Sequence, residues 1–170
     1  MTYRTPVIIV FLLGIFSVST PAALDPAEIK LRDVDFDGLG KAESSLNLAA
    51  SFDVKRENLY DEMSLDFYIL LVPREKDLAP QFFHSRITHR FLEEKTGYTS
   101  SVSLDQNILK CIDPRDGWYA VVVTHGGKEV DMKQSEEERW WENAALGKPI
   151  ENVLTRAPGA PVVRSWESAE

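Results

Sequence analysis

Met63-Ser64-Leu65-Asp66-Phe67-Tyr68-Ile69-Leu70-Leu71-Val72-Pro73 decides the fold. Met63, Leu65, Phe67, Ile69 and Leu71 fall at every second place, and that period marks a strand with one buried face. Tyr68, Leu70 and Val72 make the opposite face apolar too, as a central strand covered on both sides requires. Pro73 cannot donate to a ladder and ends the run.

The same period of two recurs outward from this stretch. Upstream, Leu46, Leu48, Ala50, Phe52 and Val54 repeat it, and Ile29 and Leu31 open it. Downstream, a charged loop with Asp77 and Pro80 leads to residues 82–92, where Phe83, Ser85, Ile87, His89 and Phe91 share a face. Lys95-Thr96-Gly97 reads as a hairpin turn into residues 98–104, and residues 108–112 read as a short edge strand. Asp113-Pro114-Arg115-Asp116-Gly117 is composed as a turn. Residues 118–124 are the most β-prone run, and Gly126-Gly127 folds them back onto residues 128–132. About eight short strands with turns between them predict a mainly β chain, an antiparallel β-sandwich.

One helix is expected to break the pattern, near residues 135–144. Ser135-Glu136-Glu137-Glu138 has the form of a capping box, with acids at the positive end of the helix dipole, and Trp140 and Trp141 are its expected docking residues. Beyond Pro149 the chain is sparse in apolar residues until Val153-Leu154 and Val162-Val163-Arg164-Ser165-Trp166, an extended tail.

The first 22 residues read as a secretory signal peptide: Arg4, then an apolar run over residues 7–18, then Thr20-Pro21-Ala22-Ala23 with small residues suited to cleavage near Ala22 or Ala23. The run is shorter than the roughly 20 residues of a membrane-spanning helix. A retained anchor is the alternative, and Pro21 opposes it by stopping the helix from lengthening. The expected product is exported to the periplasm, the outer membrane or the cell surface, with no membrane span after cleavage. About 150 residues remain, a single domain's worth. Losing Arg4 takes the net charge from -8 to about -9, and the basic residues form no run, which excludes nucleic acid as a partner.

Cys111 is the sole cysteine, so packing and not an internal disulfide must hold the fold. It is expected as a small buried residue, with a bridge between two chains as the alternative. Asp33-Val34-Asp35-Phe36-Asp37-Gly38 opens like a calcium loop, but the twelfth place from Asp33 is Ser44, not a bidentate Glu. On a strand, Asp33, Asp35 and Asp37 instead share the solvent face opposite Val34 and Phe36. His84 and His89, five apart, fall on opposite faces of a strand, and His125 sits at a hairpin tip, so no zinc triad forms. Motifs for nucleophilic, metalloprotease or phosphate chemistry are missing from the sequence, and no catalytic residue or cofactor is assigned. Aromatic residues cluster in the second half, and Tyr98, Trp140, Trp141 and Trp166 are the candidates for contact with a partner protein.

The order of these features resembles the immunoglobulin-like pilus-associated proteins of verrucomicrobial type IV pilus-like gene clusters. The resemblance rests on Val34 to Gly40, on Leu65-Asp66-Phe67-Tyr68-Ile69-Leu70-Leu71, on Phe82-Phe83 and on Tyr98-Thr99-Ser100-Ser101-Val102. It continues through Val121-Val122-Val123, Gly127-Lys128-Glu129-Val130, Trp140-Trp141 and Leu154-Thr155-Arg156. The chain departs from the family at Ala157-Pro158-Gly159-Ala160 and at Cys111. The resemblance implies an immunoglobulin-like sandwich without enzymatic activity, an accessory or structural component whose partners are envelope or pilus-like assembly proteins, with self-association as a further expectation. The competing expectation is a secreted carbohydrate- or calcium-binding module, for which the aspartate run and exposed aromatics would serve.

Overall fold

The computed structural model describes residues 29–40, 44–55, 62–90, 92–136 and 138–156. The expected signal peptide, residues 1–22, and Trp166 lie outside the described residues. Eight strands and one α-helix are found among the described residues: β1 (Ile29–Asp37), β2 (Leu46–Val54), β3 (Met63–Pro73), β4 (Gln81–His89), β5 (Lys95–Leu104), α1 (Gln106–Ile112), β6 (Pro114–His125), β7 (Lys128–Gln134) and β8 (Thr155–Arg156).

They form two four-stranded sheets, ordered β1-β2-β5-β8 and β4-β3-β6-β7, with every pairing antiparallel. The first three strands of one sheet take the A, B and E places of an immunoglobulin-like sandwich, and the other sheet takes the C′, C, F and G places. As its two apolar faces require, β3 lies inside its sheet between β4 and β6. Its inner residues Leu65, Phe67, Ile69 and Leu71 meet Leu46, Leu48, Ala50 and Phe52 of the opposite sheet in one core. Each such large apolar side chain contributes about 1.5–3 kcal/mol relative to exposure.

The two open sides of the sandwich are closed differently. On one side, β7 turns Asp131 and Lys133 toward β1: the Asp131 carboxylate accepts the Leu31 N–H at 2.8 Å, and the Lys133 ammonium donates to the Arg32 carbonyl at 2.6 Å. Arg32 is the extra residue of a β-bulge between Leu31 and Asp33. The bulge lets Ile29 and Leu31, and then Val34 and Phe36, all face the core although the interval between Leu31 and Val34 is odd. On the other side, residues 140–154 form a strap. It crosses the outer face of the β4-β3-β6-β7 sheet, pairs Ile150 with the β4 edge at Phe83, sends Leu154 into the core and ends as β8 on β5.

Several local expectations are corrected. The helix expected near 135–144 is instead two 3-10 turns, Trp140–Glu142 and Ala144–Leu146, because Ser135 is used by the sheet. Its N–H donates to the Tyr119 carbonyl at 3.0 Å and its hydroxyl accepts the Tyr119 N–H at 3.0 Å, so the hydroxyl is not free to cap. The α-helix falls where an edge strand was expected. Asp105 caps it by accepting the Asn107 N–H at 2.8 Å, and Asp113 ends it in the left-handed region at φ 44°. Pro114 to Gly117, expected as turn, already belong to β6. Lys95-Thr96-Gly97 is no hairpin turn, since β4 and β5 lie in different sheets. Gly97, at φ 75°, marks an irregularity in the pairing with β2, where the Asp53 carboxylate accepts its N–H at 3.0 Å.

Candidate functional site: an apolar groove beside an aromatic face

The outward side chains of the β4-β3-β6-β7 sheet build a second apolar cluster. Leu70, Phe82 and Ala120 lie beneath Trp140, with Tyr68, Trp118, Trp141 and Leu146 around them. The 3-10 turns of the strap deliver the two tryptophans differently. Trp140 is buried and stands edge-on to Phe82 at 5.8 Å, Trp118 at 6.2 Å and Trp141 at 5.8 Å. Trp141 is half-buried, stacks on Tyr68 at 5.9 Å and 19°, and carries the Arg139 guanidinium 5.9 Å from its ring centroid. Arg139 is itself held by Glu129 and Glu142.

Next to this cluster a polar clasp occupies the centre of the sheet. Asp66 of β3 is buried and accepts from His84 Nε2 at 2.8 Å and from Arg86 Nε at 2.7 Å and Nη2 at 2.9 Å. Burial pushes the Asp66 carboxyl pKa up, but the hydrogen bonds from His84 and Arg86 outweigh it and hold the group below the usual carboxylate value. Both His84 nitrogens face carboxylates, Asp66 and, at 3.5 Å, Glu151 of the strap. His84 therefore brackets the strap to the sheet.

At one end of the sandwich, α1, the β3–β4 loop and the strap enclose an open groove of about 480 Å³. Leu78, Ile108, Ile112, Ile150 and Val153 line it, together with Cys111. Leu78 and Ile150 are the exposed large apolar residues among the described residues, at 49% and 40%, and both fall in this one groove. Scattered exposed apolar residues are ordinary, whereas convergent ones mark contact surfaces. Cys111 is exposed, contrary to the buried position expected of it. α1 buries only Leu109, and Cys111 turns to the groove with Ile108 and Ile112.

The four aromatic candidates do not form one site. Tyr98 lies on β5, in the sheet opposite Trp140 and Trp141, where it stacks on core Phe52 at 5.4 Å and donates its hydroxyl to the Glu93 carbonyl at 3.2 Å. Trp140 is a packing residue by its burial, which leaves the half-buried Trp141 as the more exposed tryptophan of the strap. Asp33, Asp35 and Asp37 are exposed along the outer face of β1, and no group of three metal-ligating side chains converges among the described residues. The groove was missed by sequence reasoning because Leu78 and Ile150 are distant in the chain; the one available signal was Asp105 ahead of Ile108 and Ile112 at helical spacing.

No family model and no curated protein matches this sequence. Among solved structures, the chain is similar to one described as a crystal structure from Akkermansia muciniphila. The TM-score is 0.59 at 18% identity, over 76% of this chain and 83% of that one. The likeness shows a common β-sandwich fold. Among the described residues no helix is long and apolar enough to cross a membrane.

Proposed function

We propose that this protein is an exported, non-enzymatic, immunoglobulin-like accessory component of a type IV pilus-like envelope system, working through protein–protein contact at the groove beside α1. The observation that carries the reading is the convergence of Leu78 and Ile150 in one apolar groove. Surface of that kind is suited to an apolar anchor from another protein. Two further points support it: the ordered resemblance to verrucomicrobial pilus-associated proteins, and a fold shared with a protein from Akkermansia, a verrucomicrobial organism. The polar groups best placed for chemistry, Asp66, His84 and Arg86, are spent on one another.

The test is co-purification of the tagged chain from its native envelope, with mass spectrometry of what accompanies it. Leu78→Asp and Ile150→Asp, at exposed positions, should leave the fold intact and lose the pilus-assembly proteins that the unaltered chain retains. Retention of those proteins by both variants would remove the groove from the contact.

A further inference from the structure

Arg139 shows how this surface holds a guanidinium. The group lies 5.9 Å from the centroid of the Trp141 ring and donates to Glu129 at 2.9 Å and to Glu142 at 3.0 Å. One tryptophan face and two carboxylates thus hold one arginine.

The same set recurs at Trp140 without an arginine. An open cavity of about 510 Å³ is lined by Trp118, Ser135, Glu136, Glu138 and Trp140, and it shares no lining residue with the groove beside α1. Trp118 is half-buried and stands at 64° to Trp140, with 6.2 Å between the ring centroids. The Glu138 carbonyl accepts the Trp140 N–H at 2.8 Å, which fixes that residue beside the tryptophan. Glu136 and Glu138 are exposed, and neither carboxylate has a partner among the described residues. The Ser135 hydroxyl is engaged with Tyr119, and the neighbouring Arg139 with Glu129 and Glu142. We propose that this cavity binds an arginine side chain presented by another protein.

The ligand class follows from the lining. Two carboxylates in a chain of net charge -8 favour a cation, and so does the face of a tryptophan. Carboxylates also require donors. A quaternary ammonium has none, whereas a guanidinium offers five in one plane and stacks on aromatic rings. The buried Trp140 indole N–H has no acceptor among the described residues. A peptide that carries the arginine brings carbonyl oxygens to this cavity, and a lone guanidinium brings none.

The test is a titration of the purified, isotope-labelled chain with the peptide acetyl-Gly-Arg-Gly-amide. The indole N–H resonances are followed, assigned through Trp118→Phe and Trp140→Phe. The Trp118 and Trp140 signals should shift together, with a Kd on the order of millimolar, as exposed ion pairs and one cation–π contact allow. The same peptide with citrulline in place of arginine should bind about tenfold more weakly or less. Glu136→Gln combined with Glu138→Gln, both at exposed positions, should keep the rest of the spectrum and weaken binding about fivefold or more. The absence of a saturable shift by tens of millimolar peptide would overturn the proposal. So would equal binding of the citrulline peptide, equal binding by the doubly substituted chain, or shifts confined to Trp141. A lysine peptide that binds as tightly would overturn the assignment to arginine. Free arginine that binds as tightly as the peptide would overturn presentation by a protein in favour of a small-molecule ligand. The outcome is independent of the groove reading, because Leu78 and Ile150 take no part in this cavity.

Discussion

The Asp131 carboxylate accepts the backbone N–H of Leu31 at 2.8 Å, so a side chain of β7 fastens the edge strand of the opposite sheet where no ladder can. The N–H it satisfies adjoins the bulge at Arg32. Asp131→Ala should cost about 1–3 kcal/mol, the usual consequence of stranding a shielded donor. Urea unfolding checks this, and a loss below about 0.5 kcal/mol would place the fastening in solvent.

His89 lies on the inner face of β4 with its Nε2 3.1 Å from the Ser100 hydroxyl. Burial, with a smaller contribution from the Arg156 charge, lowers its pKa to about 4. The unfolded chain, whose histidine titrates near the ordinary value of about 6.5, therefore binds a proton that the folded chain refuses. Stability from this source is fully present above pH 6.5, falls as the pH drops, and levels off below about 4. His89→Gln should flatten the dependence of unfolding free energy on pH within that window. An unchanged slope would assign it to another group.

The two adjacent tryptophans should separate in their effect on stability. Trp140→Ala removes the centre of the outer cluster and should cost about 3–5 kcal/mol. Trp141→Ala loses a half-exposed stack on Tyr68 and should cost about 1–2 kcal/mol. Denaturant midpoints with an unchanged slope would report both, and equal losses would mean that the strap unfolds as a unit.

Gly38 closes the turn after β1 at φ +100°, and a Cβ there would stand 2.4 Å from the Ser45 carbonyl oxygen. Gly38→Ala should lower the thermal midpoint through a loss of about 1–3 kcal/mol. Gly40→Ala meets no atom within 4 Å, keeps only the strain of φ +76°, and should lose less.

Most of the sheet content was legible because period-two patterning reports a buried face directly. β3 was readable as a central strand from Tyr68, Leu70 and Val72 alone, and the hairpin at Gly126-Gly127 from its two glycines, at φ 55° and 74°. Patterns with two physical uses were misread. Ser135 satisfies a neighbouring strand where it was expected to cap a helix, and Gly97 permits an irregular pairing where it was expected to turn the chain. Residues 108–112 are too short for their periodicity to separate strand from helix, and only the Asp105 cap decides. The candidate site was the least legible part. The groove assembles residues from the β3–β4 loop, α1 and the strap, and nothing local to any of them announces the other two.

The most direct test of the central claim is site-specific photocrosslinking in the native cell envelope. A photoreactive residue is placed at Leu78, with Asp35 on the outer face of β1 as the control position. The account predicts that Leu78 captures a pilus-assembly protein and Asp35 does not. Capture of assembly proteins from Asp35 alone, or equally from both positions, would contradict it.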